Sequence, residues 1–575
     1  MPLSIPLVGK KIRKQCRKAL RLWRQHIDLY VRDKSLRRVE RFVFSWVLVF
    51  VLGVGIVMYQ HQQLASYYLT DGARPGGQFV EGVVGEADAI NPVFAGNRVS
   101  RVAERLVFQS LFRYNGEGKL VPELARDYNV NDAGDVYTVS LRRDAEWHDG
   151  QSVTAEDVAF TFRTIQNPNT GSSLQPAWQD IEIQTLDAYT VQFTLPNAFT
   201  PFLHQLTTGI VPAHVLRNME PSQLRVAGFN RSPVGSGPFT FDEISNQRIH
   251  LEANRGYSAS GPRLDEFKIA MYSDWGNMVD AYSRGELSAM VTGSALDTSS
   301  LPNQERSRVQ KINTPSQVFA FFNTERIGEA TVRRALTRGI DNGRLVDQMG
   351  GEFETAHGPL LPEHPGYISA QLAQNREKAR TLLDEAGWTR GEDDLRQRDG
   401  EPLSIDIVTQ EKPHYTAAAE ALSRQWEQLG IKTEVRTAAS TRLQEDYIHP
   451  RSYDVLLFGV AIGSDPDVYA YWHSSQISGT GRNLSQYESM VADSSLEDGR
   501  TRADTKLRAA KYQTFQKEWR NDAPAAALYR LHDYYIWRRE ARGIRINNIA
   551  HTIDRFYNVE DWTIRTRPVL RRLQE

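Results

Sequence analysis

Cysteine is nearly absent: Cys16 is the single one in 575 residues. That excludes an internal disulfide and a cysteine-rich zinc site, and it leaves stability to a hydrophobic core suited to several hundred residues. Cys16 lies upstream of the long apolar run, so the lipid-attachment cysteine that would follow such a run is missing. It reads as an ordinary thiol or as a juxtamembrane palmitoylation site. Enzyme signatures are scarce as well. There is no H-E-x-x-H, no pair of histidines four apart, no Walker loop and no G-x-S-x-G, which removes the zincin, P-loop and α/β-hydrolase readings. No metal or cofactor is implied, and no short repeat or low-complexity segment suggests a solenoid or a fibre. Acidic residues are few at the start, where residues 1–41 hold thirteen Lys/Arg against Asp28, Asp33 and Glu40. Of 69 basic and 70 acidic side chains this leaves 56 against 67 in the remainder, a net of −11. A near-neutral total therefore hides a basic tail and an acidic body.

What is present begins with residues 42–59, F-V-F-S-W-V-L-V-F-V-L-G-V-G-I-V-M-Y, eighteen residues without a charge. A helix needs roughly 20 apolar residues to cross a bilayer. The alternative, a buried core helix, would usually show a polar face over this length. Basic flanks stay inside, so the span places the N-terminus in the cytoplasm and the rest outside. The basic lead is long and no A-x-A cleavage pattern follows, which favours an uncleaved signal anchor over a signal peptide. Within the tail, Ile12, Cys16, Leu20, Trp23, Ile27 and Tyr30 recur at helical spacing among basic residues. That suits either a helix on an anionic inner leaflet or a solvated helix that only enforces topology. Nothing else supports a nucleic-acid partner for it. D-G-A-R-P-G-G at 71–77 is a flexible linker.

The body mixes strands and helices. Strand-like runs lie at 79–85, 135–142, 189–195, 248–253, 267–272, 403–409, 432–436 and 453–460. Helical runs lie at 100–112, 155–165, 276–285, 331–339, 376–386, 415–429 and 503–519. From 403 to 462 the order strand, helix, strand, helix, strand is that of an α/β layer with right-handed crossovers. W-H-D-G at 147–150 is half a catalytic relay or simply an Asp-Gly turn, and turn chemistry is the commoner use. G-S-G at 235–237, followed by Pro238, reads as a turn.

A collinear set of motifs carries a resemblance. I-N-P stands at 90–92, L-V-P-E-L-A-R-D-Y at 120–128, V-Y-T-V-S-L-R-R-D-A-E-W-H-D-G at 136–150 and T-A-E-D-V-A-F-T-F at 154–162. S-P-V-G-S-G-P-F follows at 232–239, L-E-A-N-R-G-Y at 251–257 and V-R-R-A-L-T-R-G-I-D at 332–341. A-R-T-L-L-D-E-A-G-W stands at 379–388 and S-D-P-D-V-Y-A-Y-W-H-S-S-Q at 464–476. From about residue 77 to the C-terminus the chain resembles the family 5 extracellular solute-binding proteins, the peptide-binding components of ABC importers. The resemblance implies an α/β, bilobed, periplasmic-binding-protein-like fold of type II with an additional third domain, here preceded by one transmembrane helix. The basic lead and the apolar run set a cytoplasmic tail at 1–41, a signal anchor at 42–60 and a linker at 61–77; the anchor departs from the resemblance, since family members are commonly lipoproteins or freely periplasmic. One lobe would take 78–99, 229–318 and 533–575, the additional domain 100–228, and the second lobe 319–532. W-H-D-G would then mark a turn of the additional domain.

The same resemblance suggests a site. A peptide would lie extended between main-chain segments at Gly96, Asn97 and Arg98 in one lobe and Phe458, Gly459 and Val460 in the other. Phe319, Phe321, Phe322, Tyr469, Trp472 and Tyr529 are aromatics near the seam, about half of which would reach the cleft, and Arg98 suits a ligand carboxylate. Inter-lobe crossovers would lie near 313–323 and 528–536. One departure concerns the Asp that family members place shortly before the D-P step to meet a ligand ammonium; aligned on Asp465 and Pro466, that position is Ile462. Asp465 or Asp467 would have to replace it, unless Asp465 merely caps the next helix, or the ligand lacks a free amine there: a longer or capped peptide, or another solute. The expected protein is a monomer with no metal and no catalytic residue, partnered by a peptide or other small solute and by ABC permease subunits. Two rivals stand beside it: a membrane-tethered ligand sensor, and an enzyme on the same scaffold, for which His148 is the modest candidate.

Overall fold

The computed structural model describes residues 36–94, 96–257, 261–293, 304–350, 353–547 and 549–570. The tail residues 12–30 and the end of the chain from 571 lie outside them. The chain divides into two units, residues 1–72 with 566–575 and residues 73–565. In the first unit, helix α1 (Leu36–Tyr68) contains the apolar stretch Phe42–Gln60, 19 residues with none of its side chains buried. At 1.5 Å per residue that is about 28 Å, close to a hydrocarbon core of about 30 Å. Phe50, at 72% exposure, shows how openly this face is presented.

The second unit is built on one eleven-stranded sheet. Its strands are β1 (Gln78–Val84), β2 (Phe239–Ile244), β3 (Arg248–Ala253), β4 (Glu266–Tyr272), β5 (Ala289–Gly293), β6 (Ser307–Phe322), β7 (Glu354–Thr355), β8 (Ser404–Gln410), β9 (Lys432–Ala438), β10 (Val455–Ala461) and β11 (Ala525–Arg538). The spatial order is β9-β8-β10-β6-β11-β5-β1-β4-β3-β2, with β7 on β11. Strands β8, β9 and β10 pair in parallel, as do β5, β1 and β4. Between these blocks stand the long antiparallel strands β6 and β11, each belonging to both lobes. Their ladder runs from Ser307–Arg538 to Asn313–His532, breaks, and resumes at Gln317–Arg530. Thr314, Pro315 and Ser316 fill the break; Pro315 lacks the N–H that a ladder needs.

Local sequence explains the elements that flank the break. Helix α2 (Arg98–Val107) starts at Asn97, whose Oδ1 accepts the Ser100 N–H at 3.0 Å. It buries Val99, Val102, Ala103 and Leu106, so Arg98 and Arg101 are left outward. Strand β10 is apolar on both faces because both are covered: Val455 and Leu457 join one core, Leu456, Val460 and the following Ile462 another. Helix α3 (Pro413–Glu427) covers the first of these with Ala418, Leu422 and Trp426.

The first lobe shares a core with the additional domain, whose four-stranded antiparallel sheet uses Ala125–Val130, Val136–Leu141, Glu182–Asp187 and Thr190–Thr194. Two glycines fasten this region. The Gly237 N–H donates to the Val107 carbonyl at 2.7 Å, and a Cβ on Gly235 or Gly237 would strike the backbone carbonyls at the end of α2. The G-S-G stretch is thus a close backbone approach as well as a turn. Gly235→Ala should lower stability by about 1–3 kcal/mol, read as an earlier urea midpoint with an unchanged slope.

Candidate functional site

A cleft of about 610 Å³ opens where β6 and β11 pass from one lobe to the other. Its floor is the broken ladder: Thr314, Pro315 and Ser316 from β6, and Leu531, His532 and Asp533 from β11. The first lobe contributes Val83, Arg98, Trp275 and Val291, helix α2 carries Arg101 and Val102 in beside Arg98, and the second lobe contributes Phe353, His414 and Ala461. His551, Thr552, Ile553 and Arg555, around the short helical segment Thr552–Asp561, close one wall. The size and the mix of apolar walls with a few converging polar groups are those of a small-molecule site.

Its charges are largely assigned to each other. Arg555 pairs with fully buried Glu81, which also accepts the Tyr535 hydroxyl at 2.8 Å. Asp533 accepts the Thr552 hydroxyl at 2.6 Å, and the Arg98 guanidinium stands 3.7 Å away. Burial pushes the His532 imidazole down to about 4, with Lys311 adding to the effect and Glu354 opposing it. Burial lowers His414 as well, with Lys412 adding to it. Both rings are therefore neutral near pH 7. Beside the cleft, burial pushes the Glu104 carboxyl up to about 7 against the pull of Arg101. Among the described residues no three metal-ligating side chains converge.

A second cavity of about 270 Å³ shares Ala461 with the cleft. Phe458, Gly459 and Val460 line it, together with Arg451, Tyr471 and Arg482. Strand β8 pairs with β10 only from Val455 to Leu457, so residues 458–461 run on with no strand on that edge; the Tyr471 hydroxyl donates to the Ala461 carbonyl at 2.6 Å, and the Gly459 backbone bonds to the Tyr415 hydroxyl. Their other edge pairs with β6. Gly459 faces Tyr415, whose hydroxyl occupies the space a side chain would need.

The other residues expected at the site are distributed as follows. Gly96 is half-buried at the start of α2, Asn97 is spent as its cap, and Arg98 lines the cleft. Phe319, Phe321, Phe322 and Trp472 are core residues at 0–1% exposure; the ring of Phe319 stands 5.6 Å from that of Trp472. Tyr529 lies one layer behind the wall, its ring 5.1 Å from that of Phe353. Ile462 is buried in the same core as Trp472, with its N–H donated to the Pro315 carbonyl at 2.8 Å. Asp465 holds Arg508 through two bonds of 2.7 and 2.5 Å and accepts the Asp467 N–H at 2.9 Å. Asp467 binds Arg500 at 2.9 Å. Tyr469 stacks on His473 at 4.0 Å and under Arg500 at 4.1 Å, outside the cleft lining.

These last residues meet the additional domain. The Thr200 N–H and hydroxyl donate to the Arg500 and Arg502 carbonyls at 2.9 and 3.0 Å. Arg500 also covers Phe199 at 4.9 Å, and His204 Nε2 stands 3.7 Å from Asp465.

Trp275, His414, His532, Asp533, His551 and Arg555 were not evident in the sequence. Arg101 had a signal: it follows Arg98 by three positions, so both must lie on one side of α2. Both ring nitrogens of His148 are taken up by backbone. Its Nδ1 accepts the Gly235 N–H at 3.2 Å and its Nε2 donates to the Gly237 carbonyl at 3.1 Å, which fixes a neutral ring. Asp149 meets His214 at 2.7 Å, and Gly150 turns with φ 86°. W-H-D-G is a turn that grips G-S-G.

Two lobes joined by paired strands, with a ligand-sized cleft over the joint and an extra domain on one lobe, define a type II periplasmic-binding-protein fold. Residues 119–481 match the bacterial extracellular solute-binding proteins, family 5 Middle, and the chain belongs to this family. It is 26% identical over 505 residues to the oligopeptide-binding protein AppA of Bacillus subtilis, across 85% of this chain and 92% of that protein. The structure of AppA with a nonapeptide aligns with a TM-score of 0.69 at 25% identity, covering 86% of this chain and 99% of that one. NikZ from Campylobacter jejuni in complex with Ni(L-His) aligns with a TM-score of 0.70 at 23% identity, covering 84% and 99%.

Burial holds His148 down to about 4 against an ordinary value of 6.5. A lowered histidine binds its proton more readily unfolded, so the stability it contributes is complete above pH 6.5 and is lost as pH falls towards 4. His148→Gln should flatten the fall in unfolding midpoint between pH 6.5 and 4, measured by thermal melts across that range.

Proposed function

We propose that this protein is the extracytoplasmic binding subunit of an ABC importer, taking peptides into the interlobe cleft and passing them unaltered to a permease. The Phe42–Gln60 stretch would serve as an uncleaved signal anchor with the N-terminus in the cytoplasm, and the binding body would work as a monomer. Tethering raises its effective concentration near the permease. The lobe limits follow the division given from the sequence.

The observation that carries this reading is the strand edge at 458–461, which has no neighbouring strand beyond Leu457, meets only tyrosine hydroxyls at Gly459 and Ala461, and is bordered by two cavities. An extended peptide placed there satisfies its own N–H and C=O groups by adding to the edge, whatever its side chains. Helix α2 and the Arg98 region form the opposite wall of the cleft. The break at 314–316 provides the hinge about which the lobes would close. A second reading, a non-peptide solute, is supported by the breadth of ligands on this fold, since NikZ holds Ni(L-His).

The test is native mass spectrometry of the full-length protein purified in detergent. A co-purified mixture of peptides supports the first reading, a single small solute the second. For a bound peptide, backbone N-methylation at positions along the added strand should weaken affinity roughly two- to tenfold per lost bond in calorimetry. Insensitivity to every such methylation would remove the strand-addition geometry.

A further inference from the structure

We infer that the Tyr471 hydroxyl is a plug for the ligand's strand position: it holds the Ala461 carbonyl until a ligand N–H takes its place, and so selects ligands that present an amide there. This rests on the strand-addition reading above and adds the residue that grades what the edge accepts. Ala461 ends strand β10, is exposed, and lines both the cleft and the second cavity. Its carbonyl points to the edge a peptide would join. Alternate carbonyls of a strand point the same way, and the Leu457 carbonyl on that edge accepts the Thr409 hydroxyl of β8 at 2.8 Å. Leu457, Gly459 and Ala461 therefore share one edge. Strand β8 ends its pairing at Leu457. Where a further strand would stand, the Tyr471 hydroxyl donates to the Ala461 carbonyl at 2.6 Å.

Two tyrosines meet this edge, and they differ in freedom. Tyr415 of α3 belongs to the core, which fixes its hydroxyl at Gly459. Tyr471 is half-buried on the four-residue helix Tyr469–Trp472 and lines the second cavity. Its hydroxyl also meets the guanidinium of Arg482, an exposed group of the same cavity. Arg482 keeps the hydroxyl partnered once the carbonyl is released, so turning the ring aside strands no polar group. A ligand amide N–H replaces the lost bond one for one. A ligand with an ester oxygen at that position offers no donor, and Tyr471 competes for the carbonyl again. The plug thus sets peptides apart from solutes without a donor at this point.

The test is calorimetry on the full-length protein in detergent with penta-alanine and its four depsipeptide forms, each with one peptide N–H replaced by an ester oxygen. Tyr471→Phe keeps the ring and removes the plug, so penta-alanine should bind it about two- to tenfold tighter than wild type. One ester position should weaken binding by about twofold or more beyond its effect in wild type when the variant is Tyr471→Phe, where no hydroxyl competes for the carbonyl. The other ester positions should affect both proteins alike. An unchanged unfolding midpoint checks the fold, and Tyr471→Leu, which loses ring and hydroxyl together, should shift affinity in the same direction. Binding of penta-alanine by wild type with equal or weaker binding by Tyr471→Phe would overturn the plug and leave the strand-addition reading standing. No binding of penta-alanine by either protein would overturn both.

Discussion

The pairing of β6 with β11 is the constraint on which the rest of the body depends. Each strand starts in one parallel block of the sheet and finishes in the other, so neither lobe closes its sheet without the partner strand. The ladder could have run unbroken for fourteen residues; instead it is interrupted at Thr314–Pro315–Ser316. There the backbone hydrogen bonds go elsewhere. The Thr314 hydroxyl donates to the Leu531 carbonyl at 2.7 Å, and the Pro315 carbonyl receives the Ile462 N–H. The interruption leaves room for a ligand directly above the one place where the lobes are covalently continuous.

Polar groups around that space are handled in two ways. Glu81 beneath it is closed into a pair with Arg555 and Tyr535, while Asp465 with Arg508 and Asp467 with Arg500 are paired at the contact with the additional domain. Buried pairs of this kind add little net stability, but removing one partner strands the other at a cost of several kcal/mol. Those on the walls are left partly open, chiefly the guanidinium groups of α2.

Much of the fold was legible in the sequence. The expected strand at 267–272 is Glu266–Tyr272, and the expected helix at 376–386 is Arg376–Glu385. Period, caps and turn residues carried these. Helix Met490–Thr501 was missed because Asp, Ser and an internal Gly499 argue against helix locally; tertiary packing decides it, since Gly499 sits against the ring of Tyr512. The site was less legible. Aromatics of β6 seemed suited to the cleft, yet β6 is covered on both faces above the break, so Phe319, Phe321 and Phe322 are all core. The wall residues come from eight separate segments, and no spacing in the chain announces that Trp275, His414, Asp533 and His551 converge.

The contacts from Thr200 to Arg500 and Arg502 lie on segments remote in sequence from the break at 314–316 and tie the additional domain to the second lobe. Any movement of the additional domain against the second lobe strains these bonds. The arrangement of the additional domain on the second lobe is thereby set by groups outside the cleft lining, and sequence drift there would retune it while leaving every residue of the cleft in place.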